Sequence, residues 1–131
     1  MSRGLLDTSV LIAQDSEDLD ASLPEEVSIS VASLAELHFG VLAARDEAVR
    51  QLRLRRLGAI EATFSAIPID SAVARAFGSV AHAVKTAGRQ PRSRVMDLWI
   101  AATALAHALP VYTRNLDDFA PLRELVEVVG V

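Results

Sequence analysis

The chain has 131 residues, of which 51% are hydrophobic and only 5% aromatic, and 13 basic against 17 acidic side chains leave a net charge of −4. That length fits one compact domain, residues 1–131, able to bury roughly two-thirds of its unfolded surface, and the composition excludes disordered and fibrous classes. With no cysteine there are no disulfides and no thiolate metal sites.

Met1-Ser2-Arg3-Gly4 runs straight into an apolar stretch without the charged region, long apolar core and cleavage site of a secretion signal, so a cytoplasmic protein is expected. Gly4-Leu5-Leu6-Asp7 reads as a short buried strand ending in an acid, and Thr8 and Ser9 are placed to cap the helix begun by Val10-Leu11-Ile12-Ala13. Residues 15–26 carry six acids and no base and read as an exposed connection ending near Pro24. Val27-Ser28-Ile29-Ser30-Val31 alternates with period two and predicts a second strand. Helices are predicted over residues 32–44 and, rich in arginine, 46–63. Residues 64–69 predict a short strand, and Asp70 or Ser71 caps a helix running to residue 85. Gly88 and Pro91 mark residues 87–93 as a loop. A strongly apolar helix is predicted over 94–108. Its uncharged run, residues 98–109, is shorter than the ~18 residues of a membrane span. Residues 110–113 predict a strand, 115–122 a short turn or helix, and 126–129 a last strand. Strands alternating with helices predict an α/β domain with a mainly parallel central sheet, whose sites lie at the carboxyl ends of the strands.

An acidic chain does not advertise nucleic-acid binding, but its positive charge is clustered. Arg50, Arg53, Arg55 and Arg56 form one group, and Arg89, Arg92 and Arg94 another; twelve of the thirteen basic residues are arginine, the side chain suited to bidentate phosphate contact. Either cluster taken alone also reads as a solvated helix or loop face.

Four acids stand out by their neighbours. Asp7 ends the first strand, where an acid alone reads as a cap. Glu36 interrupts an otherwise apolar or small-residue helix, with Ala32, Ser33 and Gly40 on its own face. Asp97 repeats the pattern, with Ala101 and Ala104 one and two turns on. Asp117 and Asp118 follow the strand ending at Thr113, and either can serve the turn before Phe119. If these acids converge on one pocket at the sheet edge, a cation must accompany them, because two carboxylates about 4 Å apart repel by roughly 4 kcal/mol at an effective dielectric near about 20. Oxygen ligands without cysteine or clustered histidine suit Mg²⁺ or Mn²⁺, whose chemistry with phosphodiesters is attack by a metal-activated water. His38, His82 and His107 are scattered and form no ligand spacing.

Four segments, in order and over nearly the whole chain, resemble the signature of the PIN-domain family. They are Leu6-Asp7-Thr8-Ser9-Val10-Leu11-Ile12, Ser33-Leu34-Ala35-Glu36-Leu37-His38-Phe39-Gly40, Asp97-Leu98-Trp99-Ile100-Ala101-Ala102-Thr103-Ala104, and Thr113-Arg114-Asn115-Leu116-Asp117-Asp118-Phe119. The wording is most similar to the VapC branch. The resemblance implies a three-layer α/β/α PIN-like fold and metal-dependent endonucleolytic cleavage of RNA. It further implies a homodimer and inhibition by a VapB-type antitoxin whose C-terminal segment docks near the active site. It places Asp7, Glu36, Asp97 and Asp118 as catalytic metal ligands for Mg²⁺ or Mn²⁺, with Asp118 preferred over Asp117 by spacing before Phe119. Thr8, Ser9, Thr113 and Asn115 would orient them. Arg89, Arg92 and Arg94 are the arginines best placed by sequence to contact RNA.

A non-catalytic α/β binding or receiver-like signalling module is the alternative. Asp70, after the third predicted strand, suits its phosphoacceptor, but the first strand ends in a single acid and Lys85 is the sole lysine. A haloacid-dehalogenase-type phosphatase needs a second aspartate where Ser9 stands.

Overall fold

The computed structural model describes residues 2–13 and 17–131. Five strands, β1 (Arg3–Leu6), β2 (Glu26–Ser30), β3 (Ala66–Ile67), β4 (Val111–Thr113) and β5 (Val128–Gly130), form one sheet in the order β3-β2-β1-β4-β5, with every pairing parallel. The helices are α1 (Thr8–Ile12), α2 (Glu17–Ser22), α3 (Val31–Leu42), α4 (Glu47–Thr63), α5 (Ser71–Thr86) and α6 (Val95–Ala106). Two 3-10 helices, Pro91–Arg94 and Leu116–Leu122, precede α6 and follow β4.

Successive strand residues face opposite sides of a sheet, and β1 and β4 use both. Leu5 and Val111 enter a core shared with Val73, Val80 and Val84 of α5 and Leu98 and Ile100 of α6. Leu6 and Tyr112, one residue on, pack with Val10 and Leu11 of α1, Leu37 and Val41 of α3, and Leu57 and Ile60 of α4. Two cores on two faces of one parallel sheet make the three-layer α/β/α arrangement that the sequence predicts. The small residues Ala101, Ala102 and Ala104 are fully buried and let α6 lie close to α5.

The sheet grows from β1 in both directions, through β2 and β3 on one side and β4 and β5 on the other. The carboxyl ends of β1 and β4 therefore flank the point where strand order reverses, where open α/β sheets bind ligands. Leu6 pairs with Tyr112, and the backbone N–H of Asp7 donates to the Tyr112 carbonyl at 2.9 Å, so the residues after both strands are held side by side. Gly4 permits this packing: a Cβ there would lie 2.5 Å from the Tyr112 ring and 2.9 Å from Pro24.

Several boundaries differ from those predicted. Part of the acidic stretch is helical: α2 is anchored by Leu19, which is buried in the second core, whereas Asp15 and Ser16 lie outside the described residues, as does Met1. β2 ends at Ser30 rather than Val31, because the Ser30 hydroxyl accepts the Ala32 N–H at 3.1 Å and starts α3. The third strand shrinks to Ala66–Ile67, and the last lies at Val128–Gly130. Asp70, of the two candidates, caps α5 by accepting the Val73 N–H at 3.0 Å. The loop before α6 contains a turn of 3-10 helix, Pro91–Arg94.

α6 stops at Ala106, two residues early, for a definable reason. Leu109 N–H bonds to the Ala104 carbonyl at 2.9 Å and Ala108 N–H to Leu105 at 3.3 Å, a Schellman closure with Ala108 at φ 53°. α5 ends in the same way, with Arg89 N–H on the Val84 carbonyl, but there the left-handed position is Gly88 at φ 81°. An alanine held in that region is strained where glycine is not. Ala108→Gly is therefore expected to raise the unfolding free energy by about 1 kcal/mol in urea denaturation, and Gly88→Ala to lower it by about the same amount.

Candidate active site

The site is built where β1 and β4 end. Asp7 occupies the cap position of α1, but its side chain makes no cap hydrogen bond, and neither Thr8 nor Ser9 caps the helix as predicted. All three side chains are turned to other partners. Ser9 Oγ donates to Asp7 Oδ2 at 2.7 Å, and Thr113 Oγ1 donates to the same oxygen at 2.9 Å. Each hydroxyl is oriented from behind by a backbone amide. The Arg114 N–H donates to Ser9 Oγ at 3.1 Å, and the Asn115 N–H to Thr113 Oγ1 at 2.9 Å. A hydroxyl that accepts from an amide has its proton free for the carboxylate. Asp7 is only 3% exposed, and its second oxygen, Oδ1, takes no hydrogen bond among the described residues.

Glu36 arrives from the middle of α3. Thr8 Oγ1 donates to Glu36 Oε1 at 2.7 Å and is itself hydrogen-bonded with the buried Ser33 Oγ at 2.9 Å. Asp97 sits in the first turn of α6, and Asp118 in the 3-10 helix after β4. Asp117 beside it is exposed, and its carbonyl accepts from Arg89 Nη1 at 3.0 Å. Asp118 forms an ion pair with Arg94, whose Nη1 also stands 3.9 Å from Asp97 Oδ2.

The acids act on one another electrostatically. Burial is the largest influence on Asp97 and raises its pKa from 3.8 to about 6; the charges of Asp7, Asp118 and Glu36 push in the same direction, and Arg94 opposes them. Glu36 is raised as well, by burial first and by Asp7, against the lowering effect of the Thr8 hydrogen bond. Glu36 and Asp97 line one groove of about 340 Å³ with Arg92, Ser93 and Arg94. Asp118 lines a neighbouring depression of about 670 Å³ with Thr113, Arg114, Asn115 and Asp117. The four acids thus share an edge rather than the single pocket expected, and among the described residues no three side chains form a ready ligand shell. Arg94, inserted between Asp97 and Asp118, keeps the two hollows apart.

The donor set fits a hard divalent cation: oxygen ligands only, two carboxyls driven toward protonation by burial first and by neighbouring acids second, and one arginine in ion-pair contact with them. Mg²⁺ keeps several waters and needs few direct carboxylates, so a closed shell is not required. Asp70, by contrast, is spent on capping α5, which removes the phosphoacceptor of a receiver-like module.

Sequence reasoning passes over two features. Ser33 was singled out only as a small neighbour of Glu36, and it braces Thr8. Thr103 Oγ1 bonds to Ser30 Oγ at 3.1 Å and so ties α6, which carries Asp97, to the start of α3, which carries Glu36. A lone hydroxyl in an apolar helix was the available signal. Arg53 and Arg56, whose helix reads equally well as a partner surface, line a third hollow with Thr8 and Glu36, and Arg53 Nη1 also bonds to the Gly40 carbonyl.

Residues 4–125 match the family described as PIN domain, and this chain belongs to the PIN-domain family. Ribonuclease VapC5 of Mycobacterium tuberculosis (strain ATCC 25618 / H37Rv) is 45% identical over 132 residues, 98% of this chain and 95% of that protein, which places the chain in the VapC branch. The crystal structure of VapBC-5 from Mycobacterium tuberculosis, a member of the VapBC family of toxin-antitoxin systems, matches with a TM-score of 0.86 at 41% identity, covering 100% of both chains. FitAcB from Neisseria gonorrhoeae matches with a TM-score of 0.78 at 29% identity, covering 96% of each chain.

The raised pKa of Asp97 has a consequence for stability. Between about pH 4 and about pH 6 the folded chain holds more protons than the unfolded one, so stability falls as pH rises through that window and stays low above it. In chelator-containing buffer, Asp97→Asn is expected to melt higher than the parent at about pH 7.5, with the two curves converging near about pH 4. Melting temperature measured across that range checks the sign.

Proposed function

We propose that this chain is the toxin of a VapBC-type toxin–antitoxin pair: a single-domain endoribonuclease that hydrolyses RNA phosphodiesters with Mg²⁺ or Mn²⁺ held by Asp7, Glu36, Asp97 and Asp118. The observation that carries the reading is the gathering of four mutually repelling carboxylates at the strand-order reversal, with Asp97 pushed up to about 6. The family supports it, as does the name Ribonuclease VapC5 borne by a relative of nearly full-length similarity. A bound ion would supply an activated water and neutralise charge on the phosphate.

The chain's own groups do the positioning. Ser9 and Thr113 hold one oxygen of Asp7, its other oxygen is not engaged by them, and the Asn115 amide sets the direction of the Thr113 proton. The Thr8 hydroxyl fixes one oxygen of Glu36 and partly offsets the upward push of burial on its pKa. Of the arginines proposed to contact RNA, Arg92 is the best available, being exposed on the groove of Glu36 and Asp97. Arg89 and Arg94 also hold Asp117 and Asp118. Arg53 and Arg56 extend the basic rim on the other side of Glu36.

A VapB-type antitoxin would find an apolar face beside the site, where Ile12, Phe39 and Leu42 are exposed. A homodimer and a cytoplasmic location complete the reading. No helix among the described residues is long and apolar enough to cross a membrane.

The purified chain is expected to cut RNA internally with Mg²⁺ or Mn²⁺ and to stop when chelator is added. Asp97→Asn should lower the rate by at least about 100-fold while the protein stays folded, as loss of a metal-site group does. Cleavage that proceeds equally well in excess chelator would overturn the reading.

A further inference from the structure

We propose that Arg94 is a built-in counterion of the acidic site, holding Asp97 and Asp118 in the metal-free protein and giving them up when a divalent ion enters. This rests on the metal-site reading above and adds a regulatory part to it.

The geometry carries the argument. Arg94 closes the 3-10 helix Pro91–Arg94 and stands immediately before α6, so its side chain is delivered to the mouth of the site from outside the sheet. It forms an ion pair with Asp118 on one side and lies 3.9 Å from Asp97 on the other. It is the one cation in ion-pair contact with any of the four acids among the described residues. Guanidinium binds carboxylate through a planar fork and occupies the lone pairs that a metal needs. It does not deprotonate in proteins, so only movement can free those oxygens.

Movement is available. The Arg94 side chain is 39% exposed, and among the described residues no hydrogen bond to a carbonyl pins it, in contrast to Arg53 and Arg89. The groove it borders also contains Arg92 and Ser93, so a displaced guanidinium remains on the face where a phosphate chain would approach. Arg94 is thus a positioning residue for two acids without metal, and an added phosphate contact with metal.

The contrasting possibility is an ordinary exposed ion pair, which contributes little and would leave metal affinity unchanged. Mn²⁺ binding to the full chain, measured calorimetrically without RNA, separates the two. Arg94→Gln is expected to tighten Mn²⁺ binding about ten-fold, the lower end of effects from groups that touch metal ligands. Arg92→Gln, which removes an equal charge from the same groove but breaks no ion pair, should change it far less, and Arg94→Lys should stay close to the parent. The metal-free Arg94→Gln protein should also melt lower than the parent and gain more from saturating Mn²⁺. Equal Mn²⁺ affinity in parent and Arg94→Gln, or equal gains in Arg94→Gln and Arg92→Gln, overturns the counterion assignment and leaves the metal site standing. Absence of Mn²⁺ binding in parent and variants alike overturns both.

Discussion

Repulsion among four carboxylates at one sheet edge is the constraint around which the molecule is arranged. Burial and the neighbouring negative charges together raise the pKa of Asp97 and Glu36, so keeping these groups ionised costs stability that a domain of this size has little of to spare. The chain contains that cost by anchoring each acid differently. Asp7 is held by two hydroxyls, Glu36 by one, and Asp118 by a guanidinium. Asp97 has only the more distant edge of that guanidinium, and it is the acid whose pKa is driven furthest. The uneven support leaves a local excess of negative charge at an otherwise well-satisfied edge, where no buried side-chain polar atom among the described residues lacks a partner.

Such a site needs a frame that does not relax. The hydroxyls that hold Asp7 come from opposite ends of the sequence, Ser9 and Thr113, and meet because β1 and β4 are paired neighbours. The helices that bring Glu36 and Asp97 are locked by the bond between Thr103 and Ser30, inside a core where Ile100, Ala101 and Ala102 are fully buried. An electrostatic penalty at the edge is thereby set against close packing underneath it.

The fold was legible wherever periodicity recorded burial. Leu5 and Leu6 could only be a strand buried on both faces, and the alternation in residues 27–30 marked its neighbour. Helix ends were legible where a cap or glycine stood, as at Asp70 and Gly88, and illegible at Ala108, which adopts a left-handed conformation usually left to glycine. The unusual acids could be picked out from small neighbours, as at Glu36, whereas their partners Thr8, Ser9, Thr113 and Asn115 were reached only through the family resemblance and not from the residues themselves. Thr8 and Ser9 look like caps because a hydroxyl before an apolar run usually is one. The approach of α3 turns Thr8 to Glu36, 28 positions away, and the register of β1 on β4 brings Thr113, 104 positions from Ser9, to the Asp7 carboxylate that the two hydroxyls share. Arg94 likewise read as an arginine placed for RNA contact, and its pairing with Asp118 was illegible because it joins residues 24 positions apart across a helix and a strand.

A chain of net charge −4 with an acidic site poses a problem for any polyanionic ligand, and the placement of its arginines answers it. Charge farther away than the Debye length, roughly 8 Å in physiological salt, is largely screened, so the groups nearest the site decide. Arg92 and Arg94 border the groove on one side of Glu36, and Arg53 and Arg56 the hollow on the other. Glu36 and Asp97 are therefore bordered by guanidinium groups at close range even though the molecule as a whole is negative. A phosphate chain crossing that border meets positive charge on both flanks, with the carboxylates between them. A divalent cation at that centre, as proposed, would give carboxylate and phosphate oxygens a charge to share.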